Sequence, residues 1–346
     1  IDILISKYIF NFIKNLQTTD NKKLEEYIST PRFVNNSLRI ELKSSLEYYK
    51  FASDSISNID IQSDFISLLN ITLLPTPIAS SESCFTWSGN TITGLTSLGR
   101  QQNNLVLPKR ANALTTNAFV DCNFTSIDMS LSNITHLPRG DGSYNNSLFC
   151  NCRKLETVIL PYNLVEIGWR TFYSCEKLNN LAIPDTVISL DREYLFGACS
   201  SLSNIILPKQ MSGNIGNFAF LGCRQLKTIN IPEGIVGLNW ASFLDCSGLV
   251  SINLPNSLRI IDKGAFERCT SLETVNLNNN LQTIGTYAFY DCKNLREIRI
   301  PNSVTSIGTN AFNTGGGALP NLVIYVNSTN VQNLVKKVFT GTVILN

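Results

Sequence analysis

Histidine is almost missing from this chain of 346 residues, with His136 the single example. An imidazole general base or metal ligand is therefore confined to one place, Asn133-Ile134-Thr135-His136-Leu137-Pro138, and no Ser or Cys nucleophile motif stands beside it. A surface or turn histidine is the expected reading. Net charge is also small, 28 basic against 26 acidic residues, which leaves no electrostatic footprint for nucleic acid or an anionic membrane. No apolar run approaches the roughly 18 residues of a membrane helix, so no membrane insertion is expected in this segment. The first residues, Ile1-Asp2-Ile3-Leu4-Ile5-Ser6-Lys7, break their apolar stretch with charges, unlike a signal peptide core. There is no phosphate-cradling glycine loop with its Lys and no calcium-loop spacing of carboxylates. These absences predict no cofactor, no metal and no catalytic residues, hence a chain that is not an enzyme. What is present is 43% apolar against 16% charged residues, ample for a core.

The dominant feature is repetition. Cys152, Cys175, Cys199, Cys223, Cys246, Cys269 and Cys292 recur every 23 or 24 residues, and a Phe stands three residues before each, at 149, 172, 196, 220, 243, 266 and 289, and again at 312. A Pro follows a short apolar run at 161, 184, 208, 232, 255 and 301. That period allows one strand and one return turn per rung of a solenoid. The strands are Thr157-Val158-Ile159-Leu160, Asn180-Leu181-Ala182-Ile183, Asn204-Ile205-Ile206-Leu207, Thr228-Ile229-Asn230-Ile231, Ser251-Ile252-Asn253-Leu254, Thr274-Val275-Asn276-Leu277 and Glu297-Ile298-Arg299-Ile300. Because Pro cannot donate to a sheet ladder, its fixed place should stop each strand at the same point and stack them as one parallel sheet. Asn278 replaces the Pro of one rung, which predicts a less sharp ending there.

These residues resemble the BspA-like leucine-rich repeats of bacterial and some protist surface proteins. The stretch from Cys292-Lys293-Asn294-Leu295 through Ile298-Arg299-Ile300-Pro301 to Ala311-Phe312 meets nearly every fixed position of that unit, and the resemblance extends over roughly residues 105 to 326. It implies an α+β fold class, a leucine-rich-repeat solenoid with a parallel β-sheet of 23–24-residue rungs. It also implies a surface or secreted location.

The first 80 residues do not share the repeat. Apolar residues at helix spacing, Ile5, Tyr8, Ile9, Phe12, Ile13 and Leu16, then a capped segment from Asp20 to Pro31, then Leu38, Leu42, Leu46 and Tyr49, predict a small helical N-terminal domain over 1–80. A weaker helix around Phe65, Leu68 and Leu69 and the linker-like Leu73-Leu74-Pro75-Thr76-Pro77 complete it. The repeat domain then spans 81–346. Its N-terminal cap is read over 81–121, with strands at Phe85-Thr86-Trp87, Asn90 to Thr93 and Leu105 to Leu107, since an open solenoid end invites aggregation. Cys122 restates the register with seven extra residues before Cys152, and Arg139-Gly140-Asp141-Gly142-Ser143 lies within that longer unit. A C-terminal cap over 315–346 begins at Gly315-Gly316-Gly317, with a last strand at Leu322 to Val326 and a short closing helix from Val331 to Phe339.

Eight of the ten cysteines hold the repeat position. Stacked in register they would lie about 4.8 Å apart and parallel, whereas a disulfide wants converging β-carbons about 3.8 Å apart. They are read as small buried residues, neither bridged nor metal-binding. Cys84 and Cys150 are off-register and are the candidates for other thiol chemistry.

Alternation along each strand turns its second and fourth residues inward and its first and third outward. The third-residue column, Ile159, Ala182, Ile206, Asn230, Asn253, Asn276 and Arg299, passes from apolar to amide to basic and is the first candidate contact strip; its Asn run also reads as an amide ladder that stabilises the stack. On the return segment Trp169 and Trp240 share a position with Arg192, Asn217, Lys263, Thr286 and Thr309. Polar company implies exposure, so both Trp are candidate anchors. The expectation is a non-enzymatic binding and adhesion module for a protein partner, host or extracellular-matrix proteins among them. An intracellular or secreted-effector scaffold using the same solenoid is the alternative. Sequons at Asn35, Asn70, Asn123, Asn133, Asn145 and Asn327 arise readily by chance in an Asn-rich chain.

Overall fold

The computed structural model describes residues 78–140 and 147–346, within which Ala79–Asn346 form one compact unit. The helices expected before residue 78, the glycine-containing stretch at 141–143 and the sequons at Asn35, Asn70 and Asn145 lie outside the described residues.

Eleven short strands stack along the front of a solenoid, from Asn104–Val106 to Thr342–Leu345. All pair in parallel, but not as one sheet. Five strands run from Asn104–Val106 to Asn204–Ile206, three from Thr228–Asn230 to Thr274–Val275, and three from Glu297–Ile300 to Thr342–Leu345. The return segments, expected to be turns, form a second parallel ladder over five rungs: Gly213–Ile215, Ile235–Leu238, Ile260–Ile261, Thr283–Ile284 and Ser306–Ile307. The apolar pair on the return segment, such as Ile260-Ile261, is long enough for two ladder steps, which accounts for this extra sheet. Helix is confined, among the described residues, to Ser97–Arg100 and Thr329–Lys336, with one 3₁₀ turn at Glu82–Cys84.

Between the two faces runs the core that the repeated Phe builds. Phe119, Phe149, Phe172, Phe196, Phe220, Phe243, Phe266, Phe289 and Phe312 are fully buried. Successive rings stack with centroids 5.0 to 5.6 Å apart and planes within 26°. Offset stacking of this kind adds about 0.5–1.5 kcal/mol per pair beyond area burial. Phe124 closes the column edge-on at one end and Phe339, just past the closing helix, at the other.

The cysteine column lies beside it. In each rung from Cys152 to Cys292 the thiol donates to the carbonyl of a Phe in the rung before, as Cys152 to Phe119 at 2.8 Å and Cys292 to Phe266 at 3.1 Å. Cys fits here because it is small enough for the corner and still offers a donor to a buried carbonyl. The residue just before each Cys is left-handed, from Asp121 at φ 55° to Asp291 at φ 60°. Each is held there by its own N–H, which donates to the next rung, as Asp245 to Glu267 at 2.9 Å. Gly285 serves the Ile-Gly of the repeat phrase for a packing reason: an added Cβ would meet Asp262 backbone at 2.5 Å.

Asn278 does not loosen its rung. It is buried, its Nδ2 donates to the carbonyls of Pro255 and Leu258, and its Oδ1 accepts from the Asn280 N–H. The strand before it ends early, at Val275, and the side chain supplies the stop that Pro supplies elsewhere.

Both ends are closed. Phe85–Ser88 and Thr91–Leu95 form an antiparallel hairpin whose second strand pairs with Ala113–Leu114. Ser80 caps the front edge, its N–H donating to the Val106 carbonyl and its Oγ accepting from the Val106 N–H, both at 2.9 Å. At the far end Gly317, at φ 120°, closes a tight hairpin between Asn313–Thr314 and Gly317–Ala318. The Thr329–Lys336 helix, capped by Ser328, buries Val331 and Val335. The Val323–Val326 strand is not the last, because Thr342–Leu345 returns to pair with it in parallel.

Candidate interaction surfaces

The third-residue column lies on the outer face of the front sheet. Ile159, Ala182 and Ile206 are half-buried there, while Asn230, Asn253, Asn276 and Arg299 are exposed. The isoleucines are thus less open than an outward position implied, because neighbours at rung spacing cover their flanks. Asn253 Nδ2 donates to Asn230 Oδ1 at 2.7 Å, one step of an amide ladder. Arg299 sits over the ring of Tyr325, 4.5 Å from its centroid, where the column passes into the last strands.

The return edge is more open and more aromatic. Trp169 and Trp240 are 40% and 44% exposed. Their shared column is fixed by backbone bonds: Arg170 N–H to Glu193, Tyr194 N–H to Asn217, Phe218 N–H to Trp240 and Ala241 N–H to Lys263 carbonyls. The column therefore reads Trp169, Glu193, Asn217, Trp240, Lys263, Thr286, Thr309, and Arg192 is not a member. One extra residue between Leu190 and Phe196 causes the slip, since counting back three from the buried Phe gives Glu193. Arg192 turns instead to Glu166, 2.8 Å away, which Arg139 also reaches at 2.6 Å. Burial pushes the Glu166 carboxyl up, but the two guanidinium hydrogen bonds outweigh it and hold the carboxyl below its ordinary range.

Beside that column Arg170, Tyr194, Phe218 and Ala241 are all left-handed, at φ 51° to 54°. Bulky residues rarely adopt this conformation. Their rings form a short ladder of their own: Tyr173 edge-on to Tyr194 at 5.8 Å, Tyr194 stacked on Phe218 at 4.6 Å, and Phe218 against Trp240 at 4.6 Å. Val165, Ile188, Val236 and Ile260 are further exposed apolar residues of the return segments.

Every cysteine is buried and none is in a disulfide. Desolvation by burial pushes the thiols of Cys175, Cys199, Cys223, Cys269 and Cys292 well up, and that of Cys150 to about 11. Cys122 departs in the other direction, held down mainly by its hydrogen bond with Cys152. His136 is exposed and bonded through Nδ1 to Thr135 Oγ1 at 2.8 Å. Among the described residues no three His, Cys, Asp or Glu side chains are grouped to hold a metal ion, and no helix is long and apolar enough to cross a membrane.

The family model of the BspA type leucine rich repeat region matches this chain in six copies, over residues 99–193, 143–235 and 192–318, more than half of its length. The chain belongs to that family. No curated protein sequence matches it. Among solved structures it is similar to a T. pallidum leucine rich repeat protein, at 24% identity over 68% of this chain and 88% of that one, TM-score 0.42. It is also similar to a leucine rich cell surface protein from Faecalibacterium prausnitzii A2-165, at 19% identity over 72% and 89% of the two chains, TM-score 0.34. A third is the pneumococcal vaccine antigen PcpA, at 17% identity over 70% and 79%, TM-score 0.39.

In this BspA-type solenoid the repeat phrase locates the front column without structural help. It is less informative about the return edge. Glu193 sits where one rung is a residue longer, and the exposed Val165, Ile188, Val236 and Ile260 occupy the unfixed positions between the two apolar residues of the return segment. Counting from the buried Phe, not from the Ile or Leu before it, is the signal that would have found Glu193.

Proposed function

We propose that this chain is a non-enzymatic protein-binding module of a secreted or surface-displayed protein, which engages a host or cell-surface macromolecule through the outer surfaces of the repeat. One observation supports this reading most. Inward positions repeat nearly unchanged for eight rungs, Phe upon Phe and Cys upon Cys, while the outward column changes from Ile159 to Asn253 to Arg299. The column passes from apolar to amide to a single cation, so the stack holds its core constant while its outer face varies, the arrangement by which repeat proteins present an extended binding surface. Residues 1–80 are proposed as a separate helical domain ahead of the repeat domain at 81–346.

Capture of host matrix and cell-surface proteins by the full chain tests the module, with Ile159→Asp plus Ile206→Asp as the front-sheet variant and Trp169→Ala plus Trp240→Ala as the return-side variant. Loss of capture in one variant assigns the contact to that surface, with the circular dichroism spectrum unchanged. Retained capture in both variants, with loss only on deletion of residues 1–80, would overturn the repeat as the binding element.

A further inference from the structure

We propose that the return edge is the seat of an extended segment of the partner polypeptide, gripped by Trp169 and Trp240 and read in register by Glu193 and Lys263. This rests on the protein-binding reading above and chooses between its two surfaces.

The column holds two kinds of contact in alternation. Trp169 and Trp240 are exposed at 40% and 44%, and Trp169 makes no ring or cation contact among the described residues. Glu193 and Lys263 are exposed, of opposite sign, and neither joins an ion pair among the described residues. Glu193 is oriented by Asn217, whose Nδ2 donates to its Oε1 at 3.2 Å. Lys263 lies with its Nζ 5.3 Å from the Trp240 ring centroid. Most other charged side chains of this edge are already engaged, as Arg192 and Arg139 are by Glu166 and Arg268 is by Asp245. Two charges of opposite sign on one line, neither in an ion pair among the described residues, are a complement for a segment whose own charges are ordered the other way.

Spacing makes the match specific. Rungs about 4.8 Å apart place the two Trp three rungs, or roughly 14 Å, from each other, and Glu193 the same distance from Lys263. An extended chain rises about 3.3 Å per residue, so each of these spans is about four residues. Laid along the column, the segment would present an apolar residue to Trp169, a basic one to Glu193 one or two residues later, an apolar one to Trp240 about four after the first, and an acidic one to Lys263 about two beyond. The floor is low between the Trp: Asn217 is half-buried and Gly216 next to it has no side chain. It is also rigid, because Tyr194 and Phe218 are locked in left-handed backbone and stacked at 4.6 Å. A rigid aromatic strip with little to reorder loses little entropy on binding.

Selection of a phage-displayed library of 12-residue peptides on the full chain tests this. The expected result is enrichment of peptides with two apolar residues about four apart, a basic residue between them and an acidic residue after the second. A synthetic enriched peptide, read by fluorescence polarisation, should lose at least tenfold in affinity with Trp169→Ala or Trp240→Ala. Reselection on Glu193→Lys should exchange the basic residue for an acidic one, and on Lys263→Glu the reverse; these exposed charge changes leave the core intact, so a folding defect cannot mimic the exchange. No enrichment, or enriched peptides indifferent to all four substitutions, overturns the proposal. Peptides lost only with Ile159→Asp plus Ile206→Asp would overturn it while leaving the protein-binding reading standing. A dimer of the full chain in analytical ultracentrifugation that Trp240→Ala converts to monomer would make a second copy the occupant, and overturn it too.

Discussion

The front sheet and the return edge share one period but are constrained in different ways. On the front, each rung must offer an inward apolar pair at fixed places, so Val158, Leu181, Ile205, Ile229 and Ile252 are all buried, while of the outward column Ile159, Ala182 and Ile206 are half-buried and Asn230 and Asn253 exposed. On the return edge the residue two before each buried Phe runs Arg170, Tyr194, Phe218, Ala241, Gly264, Tyr287, Asn310, yet every one has φ between 51° and 62°. Local preference would not place Tyr or Phe there, at a cost of roughly 1–2 kcal/mol each. The backbone is imposed by hydrogen bonds to the following rung, as from Tyr194 N–H to the Asn217 carbonyl, while the residue type varies from rung to rung. The return edge therefore keeps one backbone conformation through residues as different as Arg170, Tyr194, Ala241 and Gly264.

That contrast breaks if the inward columns are not what holds the rungs. Phe243→Ala should give the largest loss, about 3–5 kcal/mol by equilibrium unfolding, since a ring stacked on two others is removed from a site that cannot collapse. A loss below about 1 kcal/mol would mean that the column is not the core.

Asn278 sharpens it next. Asn278→Ala removes one donor from the carbonyls of Pro255 and Leu258, which keep the Leu258 N–H and Arg259 Nη1, and leaves the Asn280 N–H without its acceptor, so it should cost about 1 kcal/mol. Asn278→Pro restores the residue that six other rungs use and should cost less than the Ala variant. A greater cost for Pro would show that this rung needs the amide for a reason the others lack.

The cysteine column comes third. Cys246→Ala removes the Sγ donor to the Phe220 carbonyl at 3.0 Å, but that carbonyl also accepts the Cys223 N–H, so the loss should be near 1 kcal/mol. In the native protein the thiols at 175, 199, 223, 246, 269 and 292 should resist alkylation and become available on unfolding, because each is buried. Rapid native labelling of any of them, or a bridge between two in mass spectrometry, would contradict the packing.

How much of this was legible follows from the same contrast. Period, strand positions, the Phe and Cys columns and the outward front residues could all be read because each rung repeats them, and repetition averages out local ambiguity. The second ladder was missed because two-residue strands such as Thr283–Ile284 fall below the length at which alternation can be seen. The final Thr342–Leu345 strand was missed because it stands outside the repeat phrase and pairs only after a helix intervenes. Arg192 falls in the Trp column when the count runs forward from Leu190, ahead of the extra residue, and Glu193 when it runs back from Phe196; the backbone bond from Arg170 to Glu193 settles it. Asn278 looked like a defect because a Pro and a buried Asn reach the same turn by different means.

The smallest expected effects lie on the return edge, and they separate its two tryptophans. Trp240 packs on Phe218 at 4.6 Å and has Lys263 over its ring at 5.3 Å, so Trp240→Ala should lower stability by about 0.5–1.5 kcal/mol. Trp169 has neither contact among the described residues, and Trp169→Ala should stay within about 0.5 kcal/mol of the parent. Thermal unfolding of the two single variants reads the difference directly. Equal small losses would mean that Phe218 gains nothing from Trp240 and that the aromatic ladder ends one rung earlier. A loss for Trp169→Ala comparable to that of Phe243→Ala would mean that Trp169 supports the stack, and an anchor that the fold cannot spare is a poor candidate for a surface left free to match a partner.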